Sequence, residues 1–341
     1  MNISLKEKKI YVIAEIGHNH QGQIDIAFEM FKQAKLAGAD AVKLQKRDNK
    51  FLYTKNFYNG IYDHQNSYGK TYGEHRDKLE FGETEYKELQ EYAKEIDIDF
   101  FATPFDFHSV EFLEKLDMPA YKLASADLIN TPLQKLVAQT NKIIFLSTGG
   151  GTIDDVIRAK ENIFKYNKNL NILHCTASYP TAVNDMNLRV ISTYKKTFPD
   201  IRIGLSDHEN GIDAGPIAYM LGGTIFEKHF TLDRSKKGTD HAFSLEPIGL
   251  TKFVRNLKRV DEMLGSESKR ILNCEEAPLF KMKKSIVANK SLKKGIKLQI
   301  ENISFKSPGG GLEPYRVNEI IGKKLLVNLK DEDIIKFEYL E

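Results

Sequence analysis

Eight short apolar runs recur along the chain at intervals that an amphipathic helix fills, and this alternation limits the fold more than any other feature. The runs are Ile10 to Glu15, Ala41 to Gln45, Ile98 to Thr103, Ala120 to Ser125, Ile143 to Thr148, Leu170 to Cys175, Ile201 to His208 and Thr224 to Phe230. Helical patterns lie between them, among them Ile24 to Ala37, Glu83 to Glu95, His108 to Leu116, Ile153 to Phe164, Leu188 to Phe198 and Ile212 to Leu221. Strands that are apolar on both faces and alternate with helices belong to a parallel sheet covered on its faces. Eight such units predict an α/β fold, a (β/α)8 TIM barrel over residues 1–264, closed by a helix from Leu250 to Leu264. The competing arrangement is an open doubly wound sheet, but no Gly-x-Gly-x-x-Gly turn follows the first run.

After Leu264 the pattern changes. Residues 265–284 are polar, contain Pro278 and a basic run, and read as a linker. Residues 285–341 bring short β-rich pieces, Ser285 to Ala288 and Leu325 to Val327, around a Ser307-Pro-Gly-Gly-Gly-Leu turn. This second domain is near the lower size limit for a self-sustaining core. With 50 basic and 47 acidic residues, the net charge of +3 argues against a nucleic-acid surface or a polybasic membrane anchor. Two cysteines, Cys175 and Cys274, are too few for a disulfide framework and suit a reducing compartment. The N-terminus lacks a signal-peptide stretch and no run approaches membrane-spanning length, so a soluble cytoplasmic protein is expected.

Barrels gather their chemistry at the carboxyl ends of the strands. Those ends carry Glu15, Lys43 with Gln45, Thr103, Lys122 with Ser125 and Asp127, Ser147 with Thr148, Thr176 with Tyr179, Ser206 with His208, and Glu227 with His229. Residues two apart on a strand share a face, so these pairs point together into the barrel mouth. His208 and His229, on neighbouring strands with carboxylates nearby, fit an open divalent-metal site; a structural hydrogen bond is the plainer role for either ring. Lys43 and Lys122 among hydroxyls fit a pocket for a small dianion, with structural ion pairs as the alternative, because a buried unpaired ammonium is costly. Gly149-Gly150-Gly151 can serve simply as a turn or bring backbone N–H groups to a phosphate. Roughly 35 residues separate Gln45 from the helix near Glu83, where such loops usually run about two to six, and this segment reads as a lid or substrate-binding loop.

Several of these segments also carry a family likeness. Ala14-Glu-Ile-Gly-His-Asn-His-Gln-Gly22, Val42-Lys-Leu-Gln45, Tyr121-Lys-Leu-Ala-Ser125, Cys175-Thr-Ala-Ser-Tyr-Pro180, Gly204-Leu-Ser-Asp-His208, Glu227-Lys-His-Phe230 and Gly238-Thr-Asp-His-Ala-Phe-Ser244 resemble the sialic acid synthase family. The resemblance covers essentially the whole chain and implies a phosphoenolpyruvate-condensing barrel joined to a C-terminal antifreeze-like (SAF) domain. It implies that Lys43, Thr103, Lys122, Ser125, Ser147 and Ser206 grip phosphoenolpyruvate, and that His208 and His229 hold Mn²⁺ or Mg²⁺. Glu15, Gln45, Asp127, Tyr179 and Asp240 match positions facing the amino sugar or the reacting water. Glu15 is the first choice for moving the proton and Asp240 the second.

The segments Gly69 to Arg76 and Lys237 to His241 resemble the branch whose sugar is a 6-phosphate, so Lys70, His75 or Arg76 is expected to meet that phosphate. Ser307 stands where many bacterial members send an arginine into a partner's site, in a homodimer whose small domains cap each other's barrels. The implied reaction condenses phosphoenolpyruvate with N-acetylmannosamine or its 6-phosphate and releases phosphate by C–O cleavage. Legionaminate-type and Kdn-type products are the related alternatives. Two rivals come from other classes: a metal-free Schiff-base aldolase using Lys43 or Lys122, and a non-catalytic binding protein.

Overall fold

The computed structural model describes residues 3, 5 and 8–341. The chain divides into two compact units, Met1–Leu264 and Gly265–Glu341.

In the first unit, β1 (Tyr11–Gly17), β2 (Ala41–Lys46), β3 (Asp99–Pro104), β4 (Ala120–Leu123), β5 (Ile143–Ser147), β6 (Leu170–Cys175), β7 (Arg202–Asp207) and β8 (Ile225–His229) form a closed parallel barrel in chain order. β8 pairs back onto β1 and removes every sheet edge. The expected (β/α)8 barrel is therefore the fold. β7 stops at Asp207, one residue short of the apolar run, which leaves His208 just beyond the sheet.

The two-residue alternation of the strands builds the interior in layers. Outward residues such as Val12, Val42, Phe100, Ile144, Ile172 and Phe226 pack against the helices. Inward residues Tyr11, Ile13, Ala41, Phe101, Ala120, Phe145, Leu173 and Ile225 plug the barrel, with Phe101 stacked on Phe145 at 5.1 Å between ring centres. Each large apolar side chain buried here stabilises the fold by roughly 1.5–3 kcal/mol. Two residues further along each strand the inward position turns polar: Glu15 follows Ile13, Lys43 follows Ala41, Thr103 follows Phe101, Lys122 follows Ala120, Ser147 follows Phe145 and Glu227 follows Ile225. A polar layer thus sits on an apolar plug. Gly204 lets β7 approach β8 at this level, since a methyl group there would collide with the Ile225 carbonyl oxygen.

The closing helix is Pro247–Leu264, three residues earlier than expected, because a proline at the first helical position sacrifices no hydrogen bond. Residues 47–82 contain the short helices Asn49–Leu52, Lys55–Tyr58 and Tyr72–Asp77. Tyr72 packs on Tyr53, Phe57 and Tyr62 at 5.1, 4.7 and 5.3 Å, giving this long connection an aromatic core of its own.

The second unit pairs β9 (Ser285–Ala288) antiparallel with β10 (Ile303–Lys306) over a small core that includes Ile286, Leu298, Ile320, Leu325 and Ile335. Leu325 to Val327 is not a strand; Leu325 makes a single bridge to Leu340 and the ladder goes no further. The polar segment read as a linker contains a helix, Glu276–Met282. Among the described residues no helix is long and apolar enough to cross a membrane.

Candidate active site

The polar layer is a closed charge network. Lys43 Nζ lies 2.6 Å from Glu15 Oε2 and donates to Thr103 Oγ1 at 2.8 Å. Lys122 Nζ donates to Glu227 Oε1 at 3.0 Å, and the same oxygen accepts from Ser206 Oγ at 2.9 Å. Glu227 Oε2 lies 3.8 Å from Lys43 Nζ, so this one carboxylate stands between both ammonium groups. Burial works to raise the Glu227 carboxyl, but Lys122 and Lys43 overcome it and hold the group down at about 2. The sequence put Glu227 at the mouth without a role. The missing signal was charge balance: two lysines at one buried level need two carboxylates, and Glu15 is only one of them.

Above this network opens a cavity of about 930 Å³, lined by Glu15, Lys43, Gln45, Arg76, Thr103, Lys122, Ser125, Ser147, Tyr179, Ser206, His208, His229 and Asp240. That volume suits a small acid and a sugar together. Ser147 Oγ is buried with no hydrogen-bond partner, which marks a place for a ligand oxygen. Ser125 Oγ accepts the Gly149 N–H at 3.0 Å, and Gly149-Gly150-Gly151 borders the same space. The glycine run therefore turns the chain and presents backbone to the cavity at once.

The two histidines meet at the rim with ring centres 5.3 Å apart. His208 Nδ1 donates to the Thr176 carbonyl at 2.9 Å, which leaves Nε2 with its lone pair. Burial, with the neighbouring His229, pushes His208 down to about 3, so the ring is neutral. His229 Nδ1 is buried without a hydrogen-bond partner, and Asp240 Oδ2 is 3.8 Å from it. Among the described residues no group of three or more His, Cys, Asp or Glu forms a ready-made metal cage. Two neutral or unpartnered imidazole nitrogens beside a carboxylate and open space nevertheless match an ion that takes its other ligands from water and substrate. Tyr179, half exposed, lies over His208 at 4.2 Å between ring centres.

Three expected site residues do not reach the cavity. Asp127 ends a tight turn, Ser125–Asp127, with Oδ1 accepting from Asn130 Nδ2 at 2.9 Å, and burial raises its carboxyl. His75 is drawn into the aromatic core of the long connection, where its Nδ1 accepts the Tyr68 N–H at 3.1 Å and burial with Arg76 pushes the ring down to about 4. Lys70 is exposed, its backbone N–H donating to Glu74 Oε2 at 2.7 Å.

Arg76 does reach the cavity, and beside it comes Arg47, which the sequence did not single out. Arg47 lies over the Phe105 ring at 3.7 Å and donates Nη2 to Gln45 Oε1 at 2.7 Å. Gln45 in turn donates Nε2 to Glu15 Oε1 at 2.7 Å, so one hydrogen-bonded row runs from the lysine layer to the arginines. The His18 ring lies between the two guanidinium groups, with Arg47 Nη1 at 3.3 Å from Nε2 and Arg76 Nη1 at 3.4 Å from Nδ1, and Glu80 Oε1 at 3.2 Å from the same Nε2. The clue in the sequence was the basic pair Lys46-Arg47 following a strand-end glutamine.

The NeuB family model matches residues 30–269, and the SAF domain model matches residues 283–341. N-acetylneuraminate-9-phosphate synthase of Mus musculus is 41% identical over 332 residues, spanning 97% of this chain and 92% of its own. N,N'-diacetyllegionaminic acid synthase of Campylobacter jejuni is 33% identical over 96% of this chain and 99% of its own. A solved structure of N-acetylneuraminic acid synthetase from Leptospira borgpetersenii in complex with citrate superposes with a TM-score of 0.70 at 30% identity, covering 82% of this chain and 95% of that one.

Proposed function

The chain belongs to the NeuB family, and we propose that its barrel is a phosphoenolpyruvate-dependent synthase of the sialic acid type. It condenses phosphoenolpyruvate with an N-acetylated hexosamine to give a nine-carbon 2-keto-3-deoxy acid. The observation that carries this reading is the paired-lysine layer opening into the same cavity as the two histidines.

Lys43 and Lys122, with Thr103, Ser125, Ser147 and Ser206, hold the phosphate and carboxylate of phosphoenolpyruvate and offset their charge throughout the reaction. The enol carbon attacks the open-chain sugar aldehyde, water adds at the second carbon of the enolpyruvate unit, and the adduct expels phosphate with C–O cleavage. Glu15, ion-paired to Lys43 and hydrogen-bonded by Gln45, is placed to hold and pass the proton of that water, with Asp240 the second candidate. Tyr179 and Gln45 line the sugar side. His208 and His229 would hold Mn²⁺ or Mg²⁺, which supplies Lewis-acid polarisation of the aldehyde oxygen. A Schiff-base route is less well served: both lysine Nζ groups spend their protons on carboxylate and hydroxyl oxygens, whereas an amine nucleophile needs a free lone pair.

The sugar is the 6-phosphate. Arg47 and Arg76 share the cavity wall, and Arg76 directs Nε and Nη2 to the Tyr72 hydroxyl with no salt bridge among the described residues. Arg47 meets one carboxylate, Glu80 Oε1 at 3.9 Å, which Lys46 shares, so the two guanidinium groups keep positive charge in excess and favour an incoming dianion. Family membership further supports a homodimer with each small domain capping its partner's barrel, and a cytoplasmic location; light scattering on the purified protein tests the first. The reaction is tested by adding Mn²⁺ to the metal-stripped protein with phosphoenolpyruvate and N-acetylmannosamine or its 6-phosphate, following phosphate release and product mass. Catalytic efficiency with the free sugar equal to or above that with the 6-phosphate overturns the substrate assignment, and turnover that survives a chelator overturns the metal.

A further inference from the structure

The residues just before the two histidines are themselves a buried ion pair. Lys228 Nζ donates to Asp207 Oδ2 at 2.7 Å, and each side chain is only 1% exposed. Asp207 and Lys228 are opposed in the β7–β8 register, and strand alternation turns both away from the cavity while Ser206, Glu227 and His229 face it. The pair therefore touches no substrate and takes no part in the reaction described above.

Its contacts close around His208. Asp207 Oδ1 accepts the Glu209 N–H at 2.9 Å, and Lys228 Nζ also donates to the Glu209 carbonyl. The residues on either side of His208 are thus both bound by one ammonium group, and that ammonium belongs to the residue preceding His229. His208 lies just beyond the end of β7, where its carbonyl accepts the Thr181 N–H at 3.1 Å and its Nδ1 donates to the Thr176 carbonyl, so the Asp207 and Glu209 contacts are its tie to β8. For stability alone, a well-packed apolar pair in this position would serve as well as a buried ion pair. An apolar pair could not hold the Glu209 N–H and carbonyl.

We propose that the Lys228–Asp207 ion pair is a positioning clamp that sets the separation and orientation of His208 and His229 for a divalent cation. The inference rests on the reading of those two histidines as metal ligands. A structural salt bridge and a clamp differ in one measurable respect: removing both charges at once spares the fold in either case, but only the clamp then loses metal affinity.

The test compares metal-stripped wild type, His208→Ala and the double variant Lys228→Met/Asp207→Leu, with Mn²⁺ binding followed by electron paramagnetic resonance and thermal unfolding measured in parallel. The expected result is a double variant that melts near the wild type and binds Mn²⁺ at least about tenfold more weakly, the usual scale for losing a support behind a ligand. A double variant with wild-type Mn²⁺ affinity overturns the clamp. If the double variant does not fold, Asp207→Asn decides: it keeps the shape and is expected to weaken Mn²⁺ severalfold, and unchanged affinity counts against the clamp. A wild type that binds no Mn²⁺, or binds it as well after His208→Ala, overturns the metal reading itself and removes the premise of the clamp.

Discussion

Glu227→Gln offers a direct test of the lysine layer. The substitution keeps the side-chain volume and an oxygen for Ser206, but removes the charge 3.0 Å from Lys122 Nζ and 3.8 Å from Lys43 Nζ. At an effective dielectric constant of about 20, those separations correspond to roughly 5.5 and 4.4 kcal/mol of attraction. Desolvation cancels part of this, and removal of one partner from a buried pair leaves a net loss of about 3–5 kcal/mol. For a unit of this length each kcal/mol moves the melting temperature by about 2–4 °C, so the variant should melt at least about 6 °C below the wild type. The two ammonium groups and the unpartnered Ser147 hydroxyl then become a stronger oxyanion site. Inorganic phosphate should stabilise Glu227→Gln more than the wild type, restoring about 2.7 kcal/mol at a concentration 100-fold above its Kd. Differential scanning calorimetry at pH 7 and constant ionic strength, with increasing phosphate, reads both effects. Equal phosphate-induced shifts in the two proteins, or a smaller shift in the variant, would refute the assignment of Lys43 and Lys122 as the anion site.

Three further outcomes follow from the same geometry. Burial works to raise the Glu80 carboxyl, yet the hydrogen bond with His18 and the charges of Lys46 and Arg47 hold it down to about 2. A depressed carboxylate contributes its stability in full above the unfolded value near 4.5 and loses it as pH falls toward 2; Glu80→Gln should therefore cost roughly 3 kcal/mol in urea unfolding at pH 7, with the gap to wild type narrowing at pH 4. Arg47→Lys and Arg76→Lys, which replace a planar fork by a point charge, should each raise KM for the phosphorylated sugar about tenfold while leaving KM for the free sugar unchanged in steady-state assays. Gly204→Ala forces β7 away from the Ile225 carbonyl and should destabilise the barrel by about 1–3 kcal/mol, seen as a lower melting temperature by circular dichroism.

The barrel was legible because its cause is local. A strand with a two-residue period and a helix with a period near 3.6 are written in adjacent residues, and eight repeats of that pair leave little choice of architecture. The same period identified the inward polar positions, so Lys43, Lys122, Ser147, Ser206, His208 and His229 could be named as cavity residues before any coordinates. Asp127 and His75 defeated the sequence for a different reason. Each lies outside the strands, where turn geometry or a local aromatic cluster, rather than strand alternation, sets the direction of the side chain.

The sequence by itself therefore determined the eight-stranded frame and the chemical character of the strand ends, since both follow from residues close together in the chain. Only the tertiary structure decided which charges meet. Lys43 on β2, Lys122 on β4 and Glu227 on β8 are brought together across the axis of the closed barrel, although β4 pairs with neither of the other strands. Arg47 and Arg76 converge because the long connection folds back over the mouth on its own small core. Such pairings depend on closure of the whole sheet and on loop packing, and neither is encoded in any short stretch of residues.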